Sequence, residues 1–259
     1  MGLTVEELQA APALRGVVHR AADFHERGAG PLRRLESPLA GVVLIVSLGP
    51  DMEIDGQLTG SFVAGVWDRP TITGHCGEQA GYQLYLDLLE ARRLLGVPGT
   101  ELANRLIQLE DLLGSFAAEL RERLADAKDA HDRHAIAQRL LAGRLTEHPA
   151  TTPEIHHVVT RLRATRGSAS IETLAAEVGW SRRHLATRFR EATGLPPKAL
   201  ARVIRIERAA QLVRAGTPLA DIAYESGYAD QSHFNRDFRE LVGCTPTQFP
   251  FVQDMPVAA

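Results

Sequence analysis

Residues Ile222 to Phe249 read IAYESGYADQSHFNRDFRELVGCTPTQF, and this stretch decides the fold of the second half of the chain. Its pattern predicts a short helix, a turn at Gly227, and a second helix that begins after Asp230 and ends at Gly243. Two helices joined by a turn that contains glycine are typical of a helix-turn-helix unit, whose second helix lies in the major groove of DNA.

The same outline occurs a second time upstream, where Leu174 to Leu200 read LAAEVGWSRRHLATRFREATGLPPKAL. Both copies have a turn glycine, an apolar pair four residues apart on one face of the second helix, and a glycine that ends that helix. The matched positions are Gly179 with Gly227, Leu185 with Phe234, Phe189 with Phe238, Gly194 with Gly243 and Pro197 with Pro246. A repeat of this detail is much more specific than one isolated helix-turn-helix pattern.

The segment between the copies predicts one helix from Pro197 to Ala215, ended by Gly216. Its 19 residues correspond to a length of about 28 Å. Successive major grooves on one side of B-DNA are about 34 Å apart. The two second helices are therefore expected to enter adjacent major grooves of an asymmetric site, with some bending of the DNA or incomplete seating of one unit.

The region from about Pro153 to Phe249 resembles the DNA-binding domain of the AraC/XylS family of bacterial transcription regulators. The segment GYADQSHFNRDFRELVGCTPTQF carries most of this resemblance. By position, the resemblance implies DNA-binding residues on both second helices: Arg182, Arg183, Ala186, Thr187 and Arg190 on the first, and Gln231, Ser232, His233, Asn235 and Arg236 on the second. It also implies phosphate contacts from Ser181, Arg202 and Arg205.

Several of these residues have a structural alternative. Arg182 and Arg183 can bind guanine with two hydrogen bonds, or they can contact phosphates only. His233 is equally suited to a capping role, and Arg236 can instead form an ion pair with Glu225 or Glu207. The turn aromatics Trp180 and Tyr228 are expected to pack in the core.

The first half of the chain differs in composition and in the spacing of its apolar residues. Short segments rich in Val and Ile, separated by Gly, Pro and Asp, predict a small β-barrel or sandwich, and leucines at helical spacing follow. The predicted fold class is α+β: an N-terminal β-barrel with following helices, then an all-α domain. This half resembles, more faintly, the cupin-like sensory regions of such regulators, through the stretch from Leu94 to Gly114.

The predicted domain boundaries follow from these patterns. The sensory or dimerisation domain covers 1–146, with a β-rich part at 15–76 and a helical part at 82–145. A linker at 147–152 precedes the DNA-binding domain at 153–259. Within it, the first helix-turn-helix unit covers 171–194, the linker helix 197–215 and the second unit 218–243.

A ligand pocket in the β-domain is expected to include Trp67, His75, Tyr82 and Tyr85, although each of them is equally suited to ordinary core packing. No metal site is expected, because His19, His25, His75 and Cys76 do not form a ligand set for zinc or iron. No catalytic motif is present, so neither an enzyme activity nor a cofactor is expected.

The charge of the chain is unevenly distributed. The net charge is −3, but residues 151–259 hold 14 Arg or Lys and 11 Asp or Glu, whereas residues 1–150 hold 15 and 21. Only the second half has a charge suited to a polyanion, and the excess is small, so any DNA-binding face depends on where its arginines lie. Two cysteines without a metal spacing, no apolar run long enough to span a membrane and no secretory signal indicate a cytoplasmic protein.

The combined expectation is a one-component, sequence-specific transcription regulator. Its partners would be double-stranded DNA, a small-molecule effector, RNA polymerase if it activates, and a second copy of itself, with no membrane. The alternatives are a dimeric DNA-binding regulator without an effector, and an enzyme domain fused to a DNA-targeting domain. The sequence does not show which helix-turn-helix unit contributes more to specificity.

Overall fold

The computed structural model describes residues 2–146, 151–251 and 255–256. Most of the predicted linker, residues 147–150, lies outside the described residues. The N-terminal half is built on an antiparallel sheet, and the C-terminal half is helical, so the α+β class is confirmed. No helix in the described ranges has both the length and the apolar character needed to cross a membrane.

Within the described residues the sheet has nine strands, and every strand pair found there is antiparallel. The strands are β1 (Gly2–Leu8), β2 (Val18–Glu36), β3 (Val42–Ser47), β4 (Met52–Ile54), β5 (Gln57–Thr59), β6 (Phe62–Ala64), β7 (Thr71–Leu86), β8 (Leu106–Gln108) and β9 (Met255–Pro256). The main order is β1-β2-β7-β3-β6-β8. Among the described strands the two edge strands β1 and β8 do not pair with each other, so the sheet is curled but open at this edge.

Side chains of β7 alternate between two faces, as the pleat of a strand requires. Tyr82 and Leu84 are fully buried against the helices that follow. Gln83 and Tyr85 point the other way, into a cavity that the curled sheet surrounds. The sheet therefore has one face that forms a hydrophobic core and one face that is available to a ligand.

Five helices of the N-terminal half cover the first face of the sheet. They are α1 (Arg92–Leu95), α2 (Gly99–Leu102), α3 (Leu109–Leu113), α4 (Ser115–Ala125) and α5 (Ala130–Arg144). The core they share with the sheet includes Leu94, Leu109, Leu120 and Leu141. The helical region is shorter and more broken than the sequence predicts.

The structure corrects the boundaries expected for this half. Strand β1 lies at 2–8, before the β-rich part expected at 15–76, and β7 continues to Leu86, inside the part expected to be helical from 82 to 145. That part also contains the strand β8, and its helices are broken before Asp129, which caps α5 by accepting a hydrogen bond from the backbone N–H of Asp132.

Six helices form the C-terminal half: α6 (Pro153–Ala164), α7 (Ile171–Glu177), α8 (Arg182–Thr193), α9 (Pro197–Arg214), α10 (Leu219–Glu225) and α11 (Gln231–Val242). Helices α7 and α8 form the first helix-turn-helix unit, and α10 and α11 form the second. Helix α9 joins them and buries one face against both, including Leu200, Val203, Ile206 and Ala210. The two second helices are therefore attached to one common, packed support.

Candidate nucleic-acid interface and ligand cavity

Helix α8 presents a polar face next to a buried apolar stripe. Leu185 and Phe189 are fully buried, whereas Arg182, Arg183, Thr187 and Arg190 are exposed and Ala186 is half-buried. Ser181 caps the helix, because its hydroxyl accepts a hydrogen bond from the backbone N–H of His184 at 3.2 Å. Its proposed phosphate contact would use a side chain that already has this structural role.

Helix α11 has the same construction. Phe234 and Phe238 are fully buried, and Gln231, Ser232, His233 and Arg236 are exposed. Asp230 caps the helix through a 2.7 Å hydrogen bond from the backbone N–H of His233. A chain of aromatic contacts, tilted between Tyr228 and Phe234 and edge-on from Phe234 through Phe238 to Phe249, holds the helix on the core, with ring centroids 5.4–5.6 Å apart.

A histidine occupies the same place in both units, and the sequence comparison of the two copies missed it. His184 packs edge-on against Trp180 with ring centroids 4.6 Å apart, and His233 packs in the same way against Tyr228 at 5.1 Å. Each histidine lies in the first turn of its helix, three residues after the cap. The two histidines could have been matched from the sequence, because His184 and His233 directly precede the aligned residues Leu185 and Phe234.

Two of the arginines expected at phosphates are engaged inside the protein. Arg202 donates hydrogen bonds to Asp237 and Glu240 of α11, both at 3.1 Å. Arg205 donates to the backbone carbonyl of Gly167 and packs over the Tyr228 ring. Both guanidinium groups therefore stabilise α11 on α9, and we leave Arg202 and Arg205 out of the proposed DNA interface.

The exposed arginines of the two second helices have different surroundings. Among the described residues, Arg182, Arg183, Arg190 and Arg236 form no ion pair. The possible acidic partners of Arg236 are occupied elsewhere, since Glu225 lies 3.8 Å from Arg208 and Glu207 accepts a hydrogen bond from the backbone N–H of Ala40. The guanidinium groups of these arginines are therefore available to contact DNA phosphates or base edges.

The cavity inside the curled sheet has a volume of about 1130 Å³. Its lining is mostly apolar, with side chains such as Phe24, Ile45, Ile54 and Phe62 contributed by four different strands. Trp67, His75 and Tyr85, three of the four expected pocket residues, line it as well. The fourth, Tyr82, is excluded, because it lies on the other face of β7 and its hydroxyl hydrogen-bonds His134 of α5 at 2.7 Å. Burial in that core raises the pKa of Tyr82 to about 12.

A polar cluster lies within this cavity. Arg34 donates two hydrogen bonds to Glu26, one of them at 2.7 Å, and His75 Nε2 lies 3.1 Å from the same carboxylate. The hydrogen bond from Arg34 is the main reason that the pKa of Glu26 is lowered from its usual value. A β-bulge between Arg27 and Pro31 curls β2 so that Glu26 and Arg34, eight residues apart, can meet.

One wall of the cavity belongs to the C-terminal half. Ile204, Glu207, Gln211 and Arg214 of α9 line it, at spacings of three and four that place them on one helical face. From the sequence, α9 was expected to join the two units and to contribute phosphate contacts from Arg202 and Arg205, with no part in a ligand cavity. The polar residues Glu207, Gln211 and Arg214 recur on one face of α9 in the sequence. Their spacing indicated that this face does not pack in the hydrophobic core.

Direct contacts also join the two halves. Asp87, at the end of β7, receives hydrogen bonds from Arg163 of α6 at 2.8 Å, from the ring of His19 at 3.0 Å and from the backbone N–H of Leu89 at 2.8 Å. Burial alone would raise the pKa of Asp87, but these hydrogen bonds outweigh it and lower the pKa. Within the described ranges, no group of three or more His, Cys, Asp or Glu residues is arranged to hold a metal ion.

Residues 174–250 match the family model described as "Helix-turn-helix domain". The chain is 33% identical over 99 residues to the RCS-specific HTH-type transcriptional activator RclR of Escherichia coli K12, covering 38% of this chain and 35% of RclR. It is 34% identical over 84 residues to the F1 operon positive regulatory protein of Yersinia pestis, covering 32% of this chain and 28% of that protein. The chain thus spans about a third of the length of these curated relatives.

Among solved structures, ToxT from Vibrio cholerae is similar over almost the whole chain. The TM-score is 0.56 at 10% identity, covering 98% of this chain and 99% of ToxT. A second structure, unsaturated fatty acid bound wild-type ToxT, has a TM-score of 0.51 at 12% identity and covers 97% of this chain and 95% of that one. At these identities the likeness concerns the fold alone. The C-terminal region is a helix-turn-helix domain of the AraC type.

Proposed function

We propose that this chain is a sequence-specific DNA-binding transcription regulator, and that the cavity in its N-terminal sheet binds a small-molecule effector. The observation that carries the first part is the pair of capped second helices, α8 and α11, each of which exposes a polar, arginine-containing face from a common support. Paired recognition elements of this kind are suited to two successive major grooves of one asymmetric site.

The proposed base-reading residues are Arg182, Arg183, Ala186 and Thr187 on α8, and Gln231, Ser232, Asn235 and Arg236 on α11, with Arg190 at phosphates. His233, and with it His184, lies beside these faces in the first helical turn. Arginine pairs best with guanine and glutamine with adenine, and Ala186 offers a methyl contact to thymine. Helix α11 offers more amide and hydroxyl groups, so we assign it the larger share of base reading.

The decisive experiment is selection of a binding site from random DNA with the purified protein, followed by affinity measurements at fixed salt. We expect a site of two unequal halves about one helical turn apart. Arg183→Ala and Gln231→Ala should each weaken binding to the selected site about 5- to 150-fold, the cost of one lost base contact of about 1–3 kcal/mol. Binding to unrelated DNA should change much less.

The chain offers a matched control of the same residue type for each variant. Arg188 is also an exposed arginine of α8, but it pairs with Glu191 at 2.7 Å, and Gln57 is exposed in the N-terminal sheet. Arg188→Ala and Gln57→Ala should leave the specific affinity within about twofold of the parent, well inside the effect of one lost contact. If Arg183→Ala and Gln231→Ala bind the selected site as tightly as the parent protein, the assigned faces are wrong.

The cavity supports the effector part of the proposal. A regulator without an effector would be expected to have a solid N-terminal interior, whereas this one surrounds about 1130 Å³. Because α9 forms one wall, an occupant would touch both halves of the chain at once. The likeness to fatty-acid-bound ToxT is one of fold, so the class of ligand has to be inferred from the residues of this chain.

The enzyme alternative gains one feature, the Glu26–Arg34–His75 cluster, but that cluster is arranged for binding. Arg34 holds Glu26 as an anion, and no group of three or more metal-ligating side chains accompanies it among the described residues. RNA polymerase contact and pairing with a second copy are further proposals that accompany the regulator function. Measuring the affinity of the selected DNA with and without a metabolite panel tests the effector role.

A further inference from the structure

Glu207 is a carboxylate that lines the cavity from α9 without a cationic partner. Its Oε2 accepts one hydrogen bond from the backbone N–H of Ala40 at 3.0 Å. Among the described residues it forms no ion pair within 4.0 Å, and no hydrogen bond reaches its Oε1. The side chain is partly buried, and this burial raises its pKa.

The other charged groups around the cavity are differently placed. Glu26 is paired with Arg34, and Glu7 is 2.8 Å from Arg20. Arg163 is close enough to influence Glu207 electrostatically, but its guanidinium group is hydrogen-bonded to Asp87 at 2.8 Å. Glu36 accepts one hydrogen bond, from the hydroxyl of Thr73 at 2.7 Å, and like Glu207 it forms no ion pair within 4.0 Å among the described residues. Of these two lining carboxylates, Glu207 is the one on α9, and an unpaired carboxylate in a cavity is costly unless something compensates its charge.

We propose that the cavity binds a small organic cation, an amine with an apolar body, whose ammonium group pairs with Glu207. The inference rests on the proposed effector role of the cavity and specifies the ligand class. The ammonium group would donate a charge-assisted hydrogen bond to Oε1, while Oε2 keeps its bond from Ala40. Charge-assisted hydrogen bonds are roughly twice as strong as neutral ones, so the carboxylate would dominate the orientation of the ligand.

The rest of the lining fits the apolar part of such a ligand. Phe24, Ile45 and Phe62 supply hydrophobic surface from the sheet, and Gln83 and Gln211 supply neutral amides. Cavities of this composition bind ligands by burial of apolar surface and use a few polar groups for orientation and specificity. An anionic group at the same place would be repelled by the Glu207 carboxylate.

The test is calorimetric titration of the full chain, without DNA, at pH 7.5 with three matched compounds. They are 4-tert-butylbenzylamine, 4-tert-butylbenzyl alcohol and 4-tert-butylbenzoate, which share an apolar body and differ in charge. We expect the amine to bind at least about tenfold more tightly than the alcohol, since a hydrogen bond to a charged group is stronger than a neutral one by that order. The benzoate should bind most weakly.

Glu207→Gln keeps an acceptor for Ala40 but removes the charge. It should abolish the preference for the amine and leave the alcohol within about threefold, since that contact is neutral in both proteins. The control Glu172→Gln changes an exposed glutamate of α7 and should behave like the parent protein. As a second readout, carbon-13 NMR titration of labelled glutamate should show the raised pKa of Glu207 falling when the amine is bound, and not when the alcohol is bound.

Several outcomes would overturn the inference. These are equal binding of amine and alcohol, tightest binding of the benzoate, an amine preference that persists in Glu207→Gln, or no binding of the amine at millimolar concentration. None of them affects the selection of a DNA site, which is measured on the protein alone. A failure of the ligand class and a failure of the DNA-binding function can therefore be told apart.

Discussion

Asp87 shows how much one side chain can contribute to holding the two halves of the chain together. It accepts hydrogen bonds from His19, Arg163 and the backbone, and its pKa is lowered as a result, although burial opposes the shift. A carboxyl group with a lowered folded-state pKa stabilises the fold above its unfolded pKa of about 3.9, and the contribution is lost as the pH falls through the folded value.

We therefore expect Asp87→Asn to reduce the free energy of unfolding at pH 7 by about 1–3 kcal/mol, a range reduced because Arg163 is partly exposed. The difference between the two proteins should shrink as the pH is lowered from 4 towards 2. Urea denaturation at a series of pH values measures this. Asp51→Asn, at an exposed aspartate, is the control, and a constant difference at all pH values would contradict the linkage.

At the same scale, Tyr82 shows why single pocket residues are difficult to predict from sequence. Four residues were expected in the pocket, and three line the cavity, whereas Tyr82 is on the opposite face. Neighbouring residues of a strand point to opposite faces, so the assignment depends on the exact start of the strand. Composition shows that an aromatic residue is near a sheet, but the parity of the strand decides which side it occupies.

Among the elements, α8 and α11 depend on their caps, which differ in chemistry. Asp230 is charged and its cap bond is 2.7 Å, whereas Ser181 is neutral and its cap bond is 3.2 Å. A carboxylate also interacts favourably with the positive end of the helix dipole. Asp230→Ala should destabilise the protein by about 1–2 kcal/mol and Ser181→Ala by about 0.5–1 kcal/mol.

Thermal denaturation of the variants measures both costs. Asp230→Asn keeps a capping acceptor and should recover most of the stability lost in Asp230→Ala. Hydrogen exchange should localise each loss to the first turn of the affected helix, which carries the proposed base contacts. Equal stability of Asp230→Ala and Asp230→Asn would show that the cap contributes nothing and that only the negative charge matters.

The elements also separate what could and could not be read from the sequence. The helices of the C-terminal half lie close to their expected positions, because their caps, apolar spacing and terminal glycines are local signals. The secondary structure of residues 82–145 was harder to predict. The leucine spacing there indicates helix, but Leu106–Gln108 form strand β8 because they pair with β6. In such segments pairing with a distant strand overrides the local helix propensity, and the local sequence does not indicate which strand will be the partner.

For the whole molecule, the main question is how the N-terminal half is placed on the two recognition helices. Each of these helices ends at a glycine, and each glycine is against the N-terminal half. A Cβ added at Gly194 would lie 2.4 Å from the backbone oxygen of Gly99, and one at Gly243 would lie 3.1 Å from Pro70. The sheet and α2 thus touch α8 and α11 at the ends opposite to the turns that we propose to read bases.

Gly99 provides the sharpest test of this arrangement. A Cβ there would lie 2.6 Å from the backbone oxygen of Ala192 in α8, so Gly99→Ala forces α2 and α8 apart. The cost should be about 1–3 kcal/mol, as for overpacking elsewhere. Gly143→Ala is the matched control, because Gly143 also lies in a helix and a Cβ there meets nothing within 4 Å. That change should be neutral or stabilising by up to about 1 kcal/mol.

Thermal denaturation compares the two variants, and hydrogen exchange locates the change. Gly99→Ala should lose protection in α2 and in the last turn of α8, while the first turn of α11 remains protected. Because the contact is between the halves, the loss should not appear in the interior of α9. If Gly99→Ala were as stable as Gly143→Ala, the two halves would not be packed through this contact, and an effector in the cavity would have to act on the recognition helices through the α9 wall alone.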